Sequence, residues 1–172
     1  MTDLPDWAAT LDLQPHPEGG WFRETWRSEL TLGTDALPAG YDGPRSAGTA
    51  ILFLLMPGQQ SAWHTVRGAE IWLHHRGSPV VLEVGPDRNE PTTFLLGPDL
   101  SAGQHPQLIV PPSHWQRARQ QGSEPTLVSC VVVPGFDFAD FTLDAGADFT
   151  LDAGADFTLD AGADFALETS AD

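Results

Sequence analysis

A chain of 172 residues carries 24 Asp and Glu against 8 basic residues, all of them Arg, for a formal charge of −16. The length suits one domain with extensions. The lack of lysine excludes phosphate-loop and Schiff-base chemistry, and so acidic a surface repels nucleic-acid backbones and anionic lipid, so neither nucleic acid nor membrane is an expected partner.

In chain order, Met1–Thr10 has no basic flank or long apolar stretch, and Asp6–Leu13 is the one segment suited to a short helix. His16-Pro17-Glu18-Gly19-Gly20 reads as a turn shaping the entry to a first strand, its glycines permitting positive φ. Apolar segments of five to eight residues follow at Thr49–Met56, Glu70–His75, Val80–Val84, Thr92–Leu96, Gln107–Val110 and Thr126–Val133, broken by Pro and Gly. Short β-rich runs at this spacing predict an all-β sandwich or barrel. Thr49–Met56 is apolar on both faces, which suits cover by a second sheet or a subunit partner, so a homodimer is expected. Its core, Ala50–Met56, is the longest apolar run and is too short to span a bilayer. The single Cys130 has no intrachain partner, which points to a reducing compartment and a cytoplasmic protein.

The C-terminal part is a different object. Phe141, Phe149, Phe157 and Phe165 recur every eight residues, with Leu143, Leu151, Leu159 and Leu167 and with Gly146, Gly154 and Gly162. Eight residues of α-helix advance roughly 800°, so successive Phe would lie about 80° apart and share no face. Phe-Thr-Leu instead alternates with period two before Asp-Ala-Gly-Ala, which suits a short edge strand and turn, and a disordered extension is the open alternative. The regular aspartates do not have the spacing of known calcium loops. Residues 1–144 are read as the folded domain and 145–172 as an acidic repeat tail.

The chemistry concentrates in Gly58 to Gly77, where Gly58, His64, Glu70 and Gly77 stand at the spacings of the first motif of the cupin superfamily, which this sequence resembles. Val66 replaces the motif's second His. The second motif maps onto Pro111 to Gln116, with Gln116 at its His position and Ser113 at a Gly position. The combination of His16-Pro-Glu-Gly-Gly20, Ser61-Ala-Trp-His64, Glu70-Ile-Trp72 and Val133-Pro-Gly-Phe136 resembles one poorly characterised cupin family across roughly residues 9 to 144. That resemblance implies a jelly-roll barrel, often dimeric, like that of nucleotide-sugar epimerases, holding a small molecule inside. Alternation along strands then turns His64, Glu70, Trp72 and His74 toward the interior.

Three uses of such an interior are open. His64, Glu70 and Gln116 would be ligands of one divalent transition metal, as in a cupin oxygenase or lyase, although Val cannot ligate and Gln ligates poorly. Without metal, His64 as base with Glu70 as partner and His74 as a further catalytic group would move protons on a sugar-like or carbonyl compound, in isomerase or epimerase fashion. The only tyrosine, Tyr41, lies in a Gly- and Pro-rich loop, so the tyrosine acid of such epimerases has no counterpart, and His74 or Glu24 would substitute. In the third use the same cavity binds a metabolite and no proton moves. Candidate ligand contacts are Arg23 for an anionic group, Glu24, Ser61, Gln116, and Trp21, Trp63, Trp72 and Trp115 as stacking surfaces.

Overall fold

A computed structural model describes residues 4–144. The strands are β1 (Gln14–Pro15), β2 (Trp21–Arg27), β3 (Thr31–Leu32), β4 (Arg45–Ser46), β5 (Thr49–Leu55), β6 (Trp63–Val66), β7 (Ala69–Arg76), β8 (Val80–Gly85), β9 (Thr92–Leu96), β10 (Gln107–Val110), β11 (Trp115–Gln120), β12 (Thr126–Val133) and β13 (Phe141–Asp144). They form a six-stranded sheet ordered β1-β2-β5-β12-β7-β10 against a five-stranded sheet ordered β13-β6-β11-β8-β9, with β3 and β4 paired apart. All pairings between these strands are antiparallel, the jelly-roll arrangement expected.

Alternate residues from both sheets meet in one core. Phe22, Phe53, Leu55, Trp72, Val128 and Cys130 come from the larger sheet, and Val80, Leu82, Leu96 and Ala118 from the smaller. The six apolar segments of the sequence all become strands within a residue or two of the expected ends. Strands β2 and β11 carry Arg and Glu or Gln between their apolar residues, so apolar runs alone do not mark them.

The outer face of β5 is covered by the chain itself. Residues Asp6–Leu11 form a 3₁₀-helix, close to the expected helix and tighter than an α-helix. The Arg76 guanidinium on β7 stacks 4.1 Å from the Trp7 ring centroid, and Arg23 on β2 donates to the Leu11 carbonyl at 3.3 Å. The segment therefore crosses the outer face of the strands between, where Leu54 is fully buried. This accounts for the two-sided apolarity of β5 within one chain. No helix among the described residues is long and apolar enough to cross a membrane.

The first copy of the repeat is part of the sandwich: Phe141–Asp144 is the edge strand β13, paired with β6 from Phe141↔Val66 to Asp144↔Trp63. The later copies, with Phe149, Phe157 and Phe165, and the tail 145–172 lie outside the described residues.

Two of the motif positions have defined backbone roles. Ser113 adopts φ 59° at a position where the motif carries Gly, and Gly77 has φ 87° where β7 turns toward β8. A Cβ on Gly77 would overlap the Pro125 carbonyl. Gly77→Ala is therefore expected to cost about 2–4 kcal/mol, combining left-handed strain and overpacking. Urea unfolding should show this as a lower midpoint at unchanged slope.

Candidate functional site

One end of the sandwich holds a pocket enclosing about 530 Å³ of space outside the atoms, part of it open to solvent. Its titratable wall draws on several pieces of chain: the turn before β2 supplies His16 and Glu18, β2 supplies Glu24, β6 supplies His64, and β7 supplies Glu70. Phe22, Phe136 and Phe138 supply much of the apolar wall. The His16–Gly20 turn is closed by the Gly19 amide donating to His16 O at 2.9 Å, with Gly19 and Gly20 at φ 101° and 74°. That conformation turns the Glu18 side chain inward, where the residue is 6% exposed.

The Glu18 carboxyl lies between two imidazoles. Its Oε2 is 3.2 Å from His64 Nε2 and 3.5 Å from His16 Nδ1. His64 Nδ1 donates to the Ala62 carbonyl at 2.9 Å, which leaves Nε2 of the neutral ring as an acceptor. His16 Nδ1 accepts from the Glu18 amide at 3.3 Å, and the ring packs edge-on against Phe22 at 4.6 Å. Glu70 sits in a separate chain of bonds: Gln116 Nε2 donates to it at 2.5 Å, and the Cys130 thiol also bonds it. Trp72 Nε1 in turn donates to Gln116 Oε1 at 3.0 Å.

Burial sets the charge state of this cluster. It pushes the Glu18 carboxyl well above the usual range, and the nearby Glu70 charge adds to the effect. It lowers His64 to about 4 and His16 to about 3, the latter helped by His64. The contact of Glu18 with His64 is thus a carboxylic acid donating to a neutral imidazole, not an ion pair. Glu70 is raised to about 7, burial outweighing the hydrogen bonds from Gln116 and Cys130 that favour its anion. Its change of charge therefore falls near neutrality.

Of the residues singled out in the sequence, the structure brings His64 and Glu70 to the pocket and places Glu24 on its wall, with Gln116 bonded to Glu70 from behind. The bonded partner of His64 is Glu18, where the motif suggested Glu70. Glu24 is held by a two-bond ion pair from Arg27, at 2.9 and 2.7 Å. His74 is not brought to the pocket; its Nε2 lies 3.3 Å from the Ser78 carbonyl at the far end of β7. Ser61 is fully buried and accepts from the Ala118 amide at 2.9 Å, tying β11 to the preceding loop.

None of the four tryptophans lines the pocket. Trp72 is in the core, Trp21 is on the opposite face of β2 from Phe22, and Trp63 and Trp115 face outward under Arg117 and Arg88 at 4.8 and 4.9 Å. Arg23 points away from the pocket toward Leu11. His16, Glu18, Phe136 and Phe138 are the pocket positions that spacing did not reveal. The one signal for Glu18 was an acid placed between His16 and two glycines in a turn.

The donor set does not fit a metal ion. Val66 occupies one ligand position, and the Gln116 amide is committed at both ends to Glu70 and Trp72. Among the described residues no group of three or more His, Cys, Asp and Glu side chains is arranged to hold one.

Comparison with known proteins places this site in context. The family described as "Cupin superfamily (DUF985)" matches residues 5–144. An uncharacterised protein of Saccharomyces cerevisiae is 32% identical over 153 residues, covering 83% of this chain and 74% of that protein. A solved structure of a Shewanella oneidensis protein is similar with TM-score 0.71 and 34% identity over 84% of this chain and 85% of that one. A hypothetical protein from Leishmania major is similar with TM-score 0.70 and 30% identity over 80% and 85% of the two chains.

The cluster makes stability depend on pH in a definite sense. From the ordinary value of 4.5 up to about 7, folded Glu70 keeps a proton that the unfolded chain has released, so its contribution is lost as pH rises. The two histidines act oppositely below 6.5, where the unfolded chain binds protons that the fold refuses. The raised Glu18 carboxyl acts in the same direction as Glu70, and above pH 6.5 both carboxyl contributions are unopposed by these histidines. Urea midpoints should fall from pH 6.5 upward, and Glu70→Gln should flatten that decline; a variant as steep as the parent would contradict the assignment.

Proposed function

The chain belongs to the cupin superfamily (DUF985), and from that premise we propose that its pocket is an acid–base site for a small sugar-like or carbonyl compound, with isomerase or epimerase chemistry. The observation that carries the proposal is a carboxyl at about 7, Glu70, opening on the same pocket as an acid held on an imidazole, Glu18 on His64. A base near working pH and a separately held acid are the two parts that proton transfer at a carbon requires.

In this scheme Glu70 as carboxylate takes the proton from a carbon next to the substrate carbonyl. The C–H electron pair becomes the enol double bond, and the carbonyl oxygen takes the Glu18 proton. His64 Nε2, which had accepted that proton as a hydrogen bond, orients the acid before transfer. Glu70 then delivers its proton to the neighbouring carbonyl carbon while the hydroxyl on the deprotonated carbon gives its proton to Glu18 and becomes the new carbonyl, which yields the isomer and restores both groups. This replaces the His64 base expected from the sequence with Glu70, because desolvation holds His64 weakly basic. Among the described residues lining the pocket none is Arg or Lys, so the bound part of the substrate is uncharged.

Non-catalytic metabolite binding is the second reading, and one observation favours it: among the described residues every buried side-chain nitrogen and oxygen already has a hydrogen-bond partner. A melting-temperature screen of aldoses, ketoses and small oxo compounds identifies ligands. The tightest ligand is then incubated in D₂O with the protein and followed by NMR. Solvent deuterium should enter the carbon next to the carbonyl, at a rate that rises with pH through about 7. Glu70→Gln should slow it by roughly 10²–10⁴-fold. A tight ligand that neither exchanges nor converts would leave binding as the function.

A further inference from the structure

The proton transfers between Glu70, Glu18 and a substrate leave one imidazole of the pocket idle, that of His16. Its place is fixed by the sequence around it. Proline stands on both sides, as Pro15 and Pro17, and a residue before proline is confined to extended backbone. The His16 amide donates to Gly20 O at 3.0 Å and its carbonyl accepts from the Gly19 amide at 2.9 Å, so the turn holds both backbone groups. The ring stands at 90°, 89° and 90° to those of Phe22, Phe53 and Phe141, with centroids 4.6, 6.0 and 6.1 Å away. A ring packed edge-on against three others is held in one orientation.

The two histidines bring four imidazole nitrogens to the pocket, and three of them are committed. His64 Nδ1 donates to the Ala62 carbonyl, and His64 Nε2 faces the Glu18 carboxyl. His16 Nδ1 accepts from the Glu18 amide at 3.3 Å, so it carries no hydrogen, and the hydrogen of the ring is on Nε2. Burial and the neighbouring His64 keep the ring neutral, its pKa lowered to about 3. Among the described residues this Nε2–H has no acceptor, whereas every side-chain nitrogen sealed from solvent there has a partner. It is therefore not sealed, and it opens on the cavity that His16 lines.

We propose that His16 Nε2–H is the hydrogen-bond donor that binds a carbonyl oxygen of the ligand. The acid–base reading, on which this builds, makes that oxygen the one where charge gathers as Glu70 removes the neighbouring carbon-bound proton. A carbonyl oxygen has two lone pairs, one for this N–H and one for the Glu18 proton, and Glu18 Oε2 lies 3.5 Å from the other nitrogen of the same ring. A neutral imidazole locked before the ligand arrives stabilises such an oxygen with no reorganisation. The Phe22, Phe136 and Phe138 wall keeps the contact in apolar surroundings, where it is stronger than in water. The ligand class follows from the donor: a carbonyl or a planar enediol offers the lone pair it needs, and an ammonium group offers none.

The probe is acetohydroxamic acid, a small planar enediol mimic that is uncharged near neutral pH. The full chain is labelled with ¹⁵N-histidine, and the His16 signals are identified by their loss in His16→Gln. Without ligand, NMR should show His16 with a bare Nδ1 and a protonated Nε2; a ring protonated on Nδ1 overturns the assignment. The probe should move the Nε2–H proton downfield, and no movement at its solubility limit overturns the proposal. His16→Phe keeps a ring and lacks the donor, so it should weaken probe binding about tenfold or more, with His16→Gln recovering part of the loss through its amide N–H. Equal binding by the parent and His16→Phe overturns it too. In the deuterium exchange His16→Phe should lower kcat roughly 10²-fold with KM little changed. A His16 signal that responds to the probe in a protein exchanging no carbon-bound proton supports the donor and removes only the isomerase reading.

Discussion

The removal of a carboxyl group from water between two sheets is the constraint on which the rest of this molecule turns. Glu18 is buried where an ionised acid would be costly, so it keeps its proton and gives it to His64 as a hydrogen bond. Everything adjacent follows. The imidazole stays neutral because a charge on it would be desolvated too, and its tautomer is fixed by the Ala62 carbonyl. Glu70, sharing the low-dielectric space but held by Gln116 and Cys130, settles between ionised and neutral. A sandwich that closed fully around these groups would make them inert, and the pocket at one end gives them a use.

The same economy of partners governs the outer parts of the molecule. Arg45 and Arg67 converge on Asp140, and Tyr41 lies with its ring centroid 5.4 and 5.5 Å from their guanidinium carbons. The tyrosine is thereby absorbed into an ion-pair cluster behind the pocket wall. Its place there explains why no tyrosine acid faces the cavity in this chain.

Much of the architecture was legible in the amino-acid pattern, because apolar runs broken by Pro and Gly become strands wherever a core can bury them. His64 and Glu70 were legible as inward residues for the same reason, since the turn at Gly68 preserves alternation on both sides of it. Alternation also carried information about the tryptophans: Trp63 precedes inward His64 and Trp115 precedes inward Gln116, so both must face out, as the arginines stacked on them confirm. Glu18 was hidden because a turn has no period from which direction can be read. Its aim depends on two glycine backbones with positive φ and on the sheet that the turn meets. His74 shows the opposite failure, since it keeps the parity of Glu70 and Trp72 yet ends two strand steps beyond the pocket, where the side chain meets Ser78.

The Trp72–Gln116–Glu70 relay has one more consequence. An amide gripped at its oxygen by an indole and at its nitrogen by a carboxyl cannot flip end for end without breaking both contacts. Charge appearing on the acid is therefore felt two bonds away by a chromophore sealed from solvent. With Trp7, Trp21, Trp26, Trp63 and Trp115 replaced by Phe, emission from that one ring becomes an optical gauge of the proton inventory in the cavity, one that needs no knowledge of the natural ligand.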